Sequence, residues 1–127
     1  MISIDILNKK IDDFLLRKQE ANHLNCITQE LSGRAKEKIN LLSQDNNSSN
    51  LLGKLFSIKD NINIKGYPTT CASDILRNHK SLYNATAVSR IDNHGGLIVA
   101  KTNLDEFGMG SSNEFSIFGP CKNPINT

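Results

Sequence analysis

Apolar residues at Ile4, Leu7, Ile11, Phe14 and Leu15 recur in steps of three and four. That spacing places one apolar stripe on a helix whose opposite face carries Asp12, Asp13, Arg17 and Lys18, with Ser3 positioned as N-cap. The stretch from Asn25 to Thr28 breaks the period and reads as either one brief strand or a simple link. A second helical stripe follows at Leu31, Ala35, Ile39 and Leu42, with Ser32 as the expected cap and Glu37 and Lys38 facing water. Stripes of this kind ordinarily serve packing, within a core or against another subunit, rather than chemistry.

Residues 43–50, SQDNNSSN, carry no apolar side chain, so they cannot join a core and they mark an exposed boundary. The chain is thereby divided into an N-terminal helical segment with its loop, residues 1–50, and a second part, residues 51–127. In the second part Leu55-Phe56-Ser57-Ile58 is an apolar run of strand length. Ile62 and Ile64 then alternate with polar neighbours up to Gly66, as in a strand that crosses a core and surfaces, and Pro68 ends it. From Asn84 to His94 the positions Ala87, Val88 and Ile91 have helical spacing, with Asn84 or Thr86 to cap the start and Gly95-Gly96 as a left-handed stop. Leu97-Ile98-Val99-Ala100 follows as a buried strand.

A helix, a glycine stop and a β-branched run together predict an α/β fold, in which helices cover a sheet. Two strands do not close a stable sheet, so this one is expected to be incomplete. Residues from Leu104 to Pro124 are rich in Gly and Pro and read as irregular.

At 127 residues the chain has the size of one ordinary domain, and 15 Lys and Arg against 13 Asp and Glu leave a net charge of +2, too small a field to imply a direct nucleic-acid partner. No apolar run is long enough for a membrane span or an export signal, which sets a soluble intracellular chain as the expectation. Cys26, Cys71 and Cys121 are odd in number and lack metal-ligand spacing, so they are expected as small buried or half-buried thiols in a reducing compartment. Asp105 and Glu106 have no His or second acidic cluster beside them. They read as a helix start or a solvated turn, and no metal site is expected. His23, His79 and His94 are scattered, as surface or capping residues are.

Lys59 directly follows the apolar run and precedes Asp60. A lysine at the end of a buried strand loses hydration and can act as a neutral proton acceptor, or it can simply snorkel past the strand end. Spacing alone favours the snorkelling lysine.

The segment GKLFSIKDNINIKGYPTTCAS, Gly53 to Ser73, resembles the lysine block of the amidase signature family, and KTNLDEFGMGSSNEFSIFGPCKNP, Lys101 to Pro124, resembles the next block. The two matches stand in the right order, joined by a similar YNATAVSRIDNHGGLIVA at Tyr83 to Ala100. Within the family they are most similar to the amidase subunits of tRNA-dependent amidotransferases, whose variable start resembles the N-terminal helices.

This resemblance implies the N-terminal portion of an α/β/α sandwich built on a large mixed sheet, and a Ser, cis-Ser and Lys triad in which Lys59 is the catalytic lysine. There the neutral lysine takes a proton from a bridging serine, which deprotonates the serine that attacks a carboxamide carbon. Met109, Gly110 and Ser111 match a stretch lining the substrate channel. Both serines lie downstream of Asn123-Pro124 in the family, and Ser111 and Ser112 do not replace them. The chain is therefore expected to be an N-terminal part, inactive alone. Cys121 departs from the threonine common in relatives.

Glutamine is the implied substrate, and its ammonia passes within a heterotrimer to a partner subunit that uses ATP and magnesium to amidate glutamyl-tRNA(Gln). No cofactor is expected on this chain and no membrane contact. The compartment is cytoplasmic in a bacterium, mitochondrial or plastid in a eukaryote. The alternatives are a stand-alone amidase acting on another carboxamide, and a non-catalytic remnant that binds a partner through its helices.

Overall fold

Ser3 opens the first helix. In the computed structural model, which describes residues 3–42 and 49–126, its Oγ accepts a hydrogen bond from the Asp5 N–H at 3.3 Å and caps α1, Ile4–Glu20. The helix runs a turn beyond Leu15 because Arg17 and Lys18 suit the negative end of the helix dipole. A 3-10 turn at Asn22–Leu24 and a left-handed Asn25 (φ 59°) then turn the chain into β1, Ile27–Glu30. The brief strand is thus real, displaced two residues along the chain.

Helix α2, Ser32–Leu42, starts differently from expectation. Ser32 is its first helical residue and not its cap. Leu31 is still tied to the sheet, its N–H donating to Val99 O at 2.8 Å, and the Glu30 carboxylate accepts from the Ser32 N–H at 2.5 Å. A negative group at a helix N-terminus is stabilising, and the hydrogen bond from Ser32 holds the Glu30 carboxyl below its ordinary pKa.

Strand β2, Leu55–Lys59, and strand β3, Leu97–Thr102, pair in parallel, from Leu55 opposite Leu97 to Lys59 opposite Thr102. Strand β1 lies antiparallel on the other side of β3, giving the order β1-β3-β2. Helix α3, Thr86–Asn93, makes the crossover between β2 and β3. Neither Asn84 nor Thr86 caps it. Ala85 holds the N-cap position without a side-chain bond, and Asn84 Oδ1 accepts from the Lys65 N–H at 2.7 Å. Gly95 (φ 75°) stops the helix as expected.

Ile62 and Ile64 do not extend β2. The chain turns after Lys59, with the Ile62 N–H bonded to Lys59 O at 2.9 Å and the Tyr67 N–H to Ile64 O at 3.0 Å. Strand β3 ends at Thr102, so beyond the Asp60 N–H, which donates to Thr102 O at 3.0 Å, no ladder partner exists. Ile64 is buried all the same.

Two apolar clusters sandwich the sheet. Leu7, Ile11, Ala35 and Ile39 of the two N-terminal helices pack on Leu97, Val99 and Ala100. Leu31, Ile58, Ile64 and Val88 pack with Ile98 on the opposite face. Covering β3 on both faces is what makes it a continuous apolar run instead of an alternating one. Residues 43–48 of the expected boundary loop lie outside the described residues. Because β1 pairs with β3, the N-terminal segment shares the sheet with the later part of the chain.

Candidate active site

Parallel strands gather their carboxyl ends on one side of a sheet, and ligands of α/β folds bind in the crevice outside those ends. Lys59 is the last residue of β2, and Asn103 to Asn113 follow β3 from the same edge. Between them lies a cleft of about 240 Å³ lined by Lys59, Asn103, Leu104, Asp105, Gly108, Gly110, Ser111 and Asn113. The structure therefore brings together Lys59, Gly110 and Ser111. Met109 is 81% exposed and lies outside this lining.

The lysine that loses its water is Lys101. Lys59 is exposed, whereas Lys101 is 0% exposed and lies one register position away, opposite Ile58. Its ammonium donates to Pro68 O at 2.9 Å and to Thr69 Oγ1 at 3.0 Å. The Asp60 Oδ1 lies 2.8 Å from it as an ion-pair contact, without the alignment of a hydrogen bond. The other carboxylate oxygen, Oδ2, accepts from Thr70 Oγ1 at 2.5 Å. The sequence reading ended the strand at Ala100 and gave Lys101 no role of its own. The available signal was a pair of opposite charges, Lys101 directly after the apolar run Leu97 to Ala100 and Asp60 two residues after the run Leu55 to Ile58.

The Asp60 backbone holds a second layer. Its carbonyl accepts from the Cys71 N–H at 3.1 Å, and Cys71 O accepts from the Phe107 N–H at 2.8 Å. Cys71 (φ 51°) and Ala72 (φ 53°) are consecutive left-handed residues, a conformation costly for side chains with a Cβ and held here by these bonds. Burial, then the Asp60 charge, pushes the Cys71 thiol pKa up.

Asp105 is a helix start, the N-cap position of a 3-10 turn at Glu106–Gly108, but it is not solvated. It is buried, and its two carboxylate oxygens accept from the N–H groups of Phe115 at 3.0 Å and Asn113 at 2.9 Å. Gly110 packs against it so closely that a Cβ there would stand 2.4 Å from Asp105 Cγ. Glu106 accepts from Ser73 Oγ at 2.6 Å, and Ser112 donates to Glu114 at 2.7 Å, away from the cleft lining. Asn103 bridges the wall, donating to Asn25 O and Gly119 O and accepting from Ser116 Oγ. His23 and His94 sit with Nδ1 against the carbonyls of Glu20 and Arg90, at helix ends as expected. Among the described residues no three His, Cys, Asp or Glu side chains could share a metal, and no helix is long and apolar enough to cross a membrane. Cys26 and Cys71 are half-buried, but Cys121 is exposed, against the expectation for all three.

The parallel pair β2 and β3 thus carries Lys59 at its carboxyl end, faced by a glycine-rich loop organised on the buried Asp105, within an α/β fold. The Amidase family model matches residues 6–127, and the chain belongs to that family. Its relatives include the A subunit of glutamyl-tRNA(Gln) amidotransferase from Chlorobium limicola, 43% identical over 93% of this chain and 26% of the relative, and that of Methanococcus maripaludis, 39% identical over 94% and 28%. The structure of the corresponding Thermotoga maritima protein superimposes with a TM-score of 0.71 at 31% identity, covering 98% of this chain and 28% of that one. A protein from a vestigial complex linked to the origins of an s-triazine catabolic enzyme shares the fold, with a TM-score of 0.87 at 24% identity over 95% of this chain and 28% of its own. The chain spans about a quarter of the length of the curated relatives it matches.

Proposed function

We propose that these residues form the lysine-bearing part of the glutaminase component of a glutamyl-tRNA(Gln) amidotransferase, with residues 51–127 as the first part of its amidase domain. The single observation that carries this reading is that Lys59, Gly110 and Ser111, drawn from two separate segments, line one cleft at the carboxyl ends of β2 and β3. A serine hydroxyl attacks a carboxamide only after losing its proton, and a lysine can take that proton where an arginine cannot. Asp60, fixed on both carboxylate oxygens, anchors the backbone beside Lys59.

In the whole enzyme both serines come from sequence beyond Pro124. Glutamine is the substrate, and its ammonia passes to the partner that activates glutamyl-tRNA(Gln) with ATP and magnesium. This chain itself holds no cofactor and works in the cytoplasm or in an organelle of bacterial descent.

A chimera tests the proposal: residues 1–127 replace the matching quarter of the Thermotoga maritima protein, and ammonia release from glutamine is measured. Activity that disappears in Lys59→Ala supports the assignment. An assembled chimera whose activity is indifferent to Lys59→Ala overturns it.

A further inference from the structure

The structure places two thiols that are far apart in sequence in direct contact. Cys26 Sγ lies 2.6 Å from Cys121 Sγ, and both are free. Their backbones are held together independently of the sulfurs. The Asn25 side-chain amide donates to the carbonyls of Phe118, Gly119 and Pro120, the latter two at 2.9 and 3.3 Å. The Lys122 N–H donates to Leu24 O at 2.8 Å, and Asn103 ties Asn25 O to Gly119 O. This lacing fixes the approach of the two segments, so the thiol contact does not depend on flexible side chains alone. Cys121 is exposed, which gives a small oxidant access to one member of the pair.

We propose that Cys26 and Cys121 form an oxidisable dithiol, a disulfide site that clamps the segment from Ser116 to Lys122 onto the entry of β1. The co-reactant is a small-molecule disulfide of the glutathione class. The exposed Cys121, as thiolate, attacks one sulfur of glutathione disulfide; that S–S bond breaks and one glutathione leaves as thiolate and takes up a proton. Cys26 then attacks Cys121 Sγ, loses its proton to solvent and expels the second glutathione. Two cysteine thiols are oxidised and one glutathione disulfide is reduced to two thiols. Burial, with the hydrogen bond and charge of Cys121, raises the Cys26 thiol pKa to about 11, which leaves the first attack to Cys121.

The clamp reaches the cleft through one side chain. The Cys121 N–H donates to Asn113 Oδ1 at 2.7 Å, and Asn113 lines the cleft and bonds Asp105 through its own N–H. Oxidation therefore stiffens one rim of the site, a consequence that rests on the proposed function only for its catalytic meaning.

The test treats the dilute chain with oxidised glutathione at about pH 8, quenches with an alkylating agent and maps peptides without reduction. The expected product is a monomer with one link, Cys26 to Cys121, and with Cys71 alkylated. Cys71→Ser should form the same link, Cys121→Ser should form none, and urea should abolish the preference over pairs that include Cys71. The amide proton of Cys121 should exchange on the order of tenfold more slowly after oxidation. A stable glutathione adduct on Cys121 without the link, linkage through Cys71, or linkage only between chains would overturn the site. Unchanged amide exchange in the linked chain would overturn the clamp.

Discussion

Lys101 Nζ stands 2.8 Å from Asp60 Oδ1 between β2 and β3, and the two side chains are 0% and 2% exposed. Lys59 and Asp60 are neighbours in the chain, yet one faces the cleft and the next is sealed under it. Lys59 is the last residue of β2, and Asp60 opens the turn that follows it with its N–H still bonded to Thr102 O at 3.0 Å. Anchoring Asp60 to Lys101 and Thr70 therefore fixes the side to which Lys59 projects, so the free lysine is oriented by the buried one.

Lys101→Met should destabilise the chain by about 3–5 kcal/mol, because it leaves the Asp60 carboxylate buried without its counter-charge. Lys101→Met combined with Asp60→Leu should recover most of that loss. Urea unfolding of the two singles and the double gives the coupling directly, and additive losses would show that the pair does not act as a unit.

Lys59→Ala should leave the unfolding free energy within about 0.5 kcal/mol of the unmutated chain's, since its side chain is exposed. In the chimera it should lower turnover by about 10²- to 10⁴-fold, the usual contribution of a general base. Lys59→Arg should be as inactive as Lys59→Ala. The 127-residue chain alone should release no ammonia above buffer, and release that vanished with Lys59→Ala would contradict this.

Gly110→Ala should loosen the cleft wall. The new methyl would meet Asp105 at 2.4 Å and force the carboxylate away from the amides of Asn113 and Phe115. A cost of about 1–3 kcal/mol follows from overpacking. Faster hydrogen exchange at those two amides, with the β3 amides unchanged, is the expected signature.

Glu30 gives a pH dependence with a definite sign. Its folded pKa is lowered by the Ser32 hydrogen bond, so its contribution is full above the unfolded carboxyl value of about 4.3 and is lost as pH falls through the lowered folded value. Helix α2 should fray from its N-terminus over that acid range, seen as faster exchange of its first amides. Glu30→Gln keeps an acceptor for the Ser32 N–H and should remove the pH dependence while retaining most of the cap.

Helices α1 and α2 were legible because their faces differ in polarity, and period alone locates such a face. Strand β1 was only half legible: Ile27-Thr28-Gln29-Glu30 is a partly buried edge with no alternation to mark it. Ile62 and Ile64 misled for the converse reason. Alternation looks the same in a strand and in a turn that sends one isoleucine inward, and only the end of β3 decides between them. Lys59 and its cleft partners Gly110 and Ser111 were legible through resemblance, not through composition. The burial of Lys101 was not legible, because a charge argues for exposure until its partner is seen, and that partner lies just past the end of another strand. Asp105 was hidden likewise, since the two amides it accepts from meet it only when the loop is closed.

Among the described residues strand β3 alone bridges the sheet, with β1 and β2 each paired to it and not to each other. During synthesis β1 and β2 leave the ribosome well before it. At about 5–20 residues per second, both wait with open ladder groups until Thr102 emerges. The two N-terminal helices wait as well, because the apolar face that receives them is β3. Assembly of this part of the domain is therefore gated by the arrival of one six-residue stretch, and a pause in translation just upstream of Leu97 would prolong the interval in which the nascent chain is most open to misassociation.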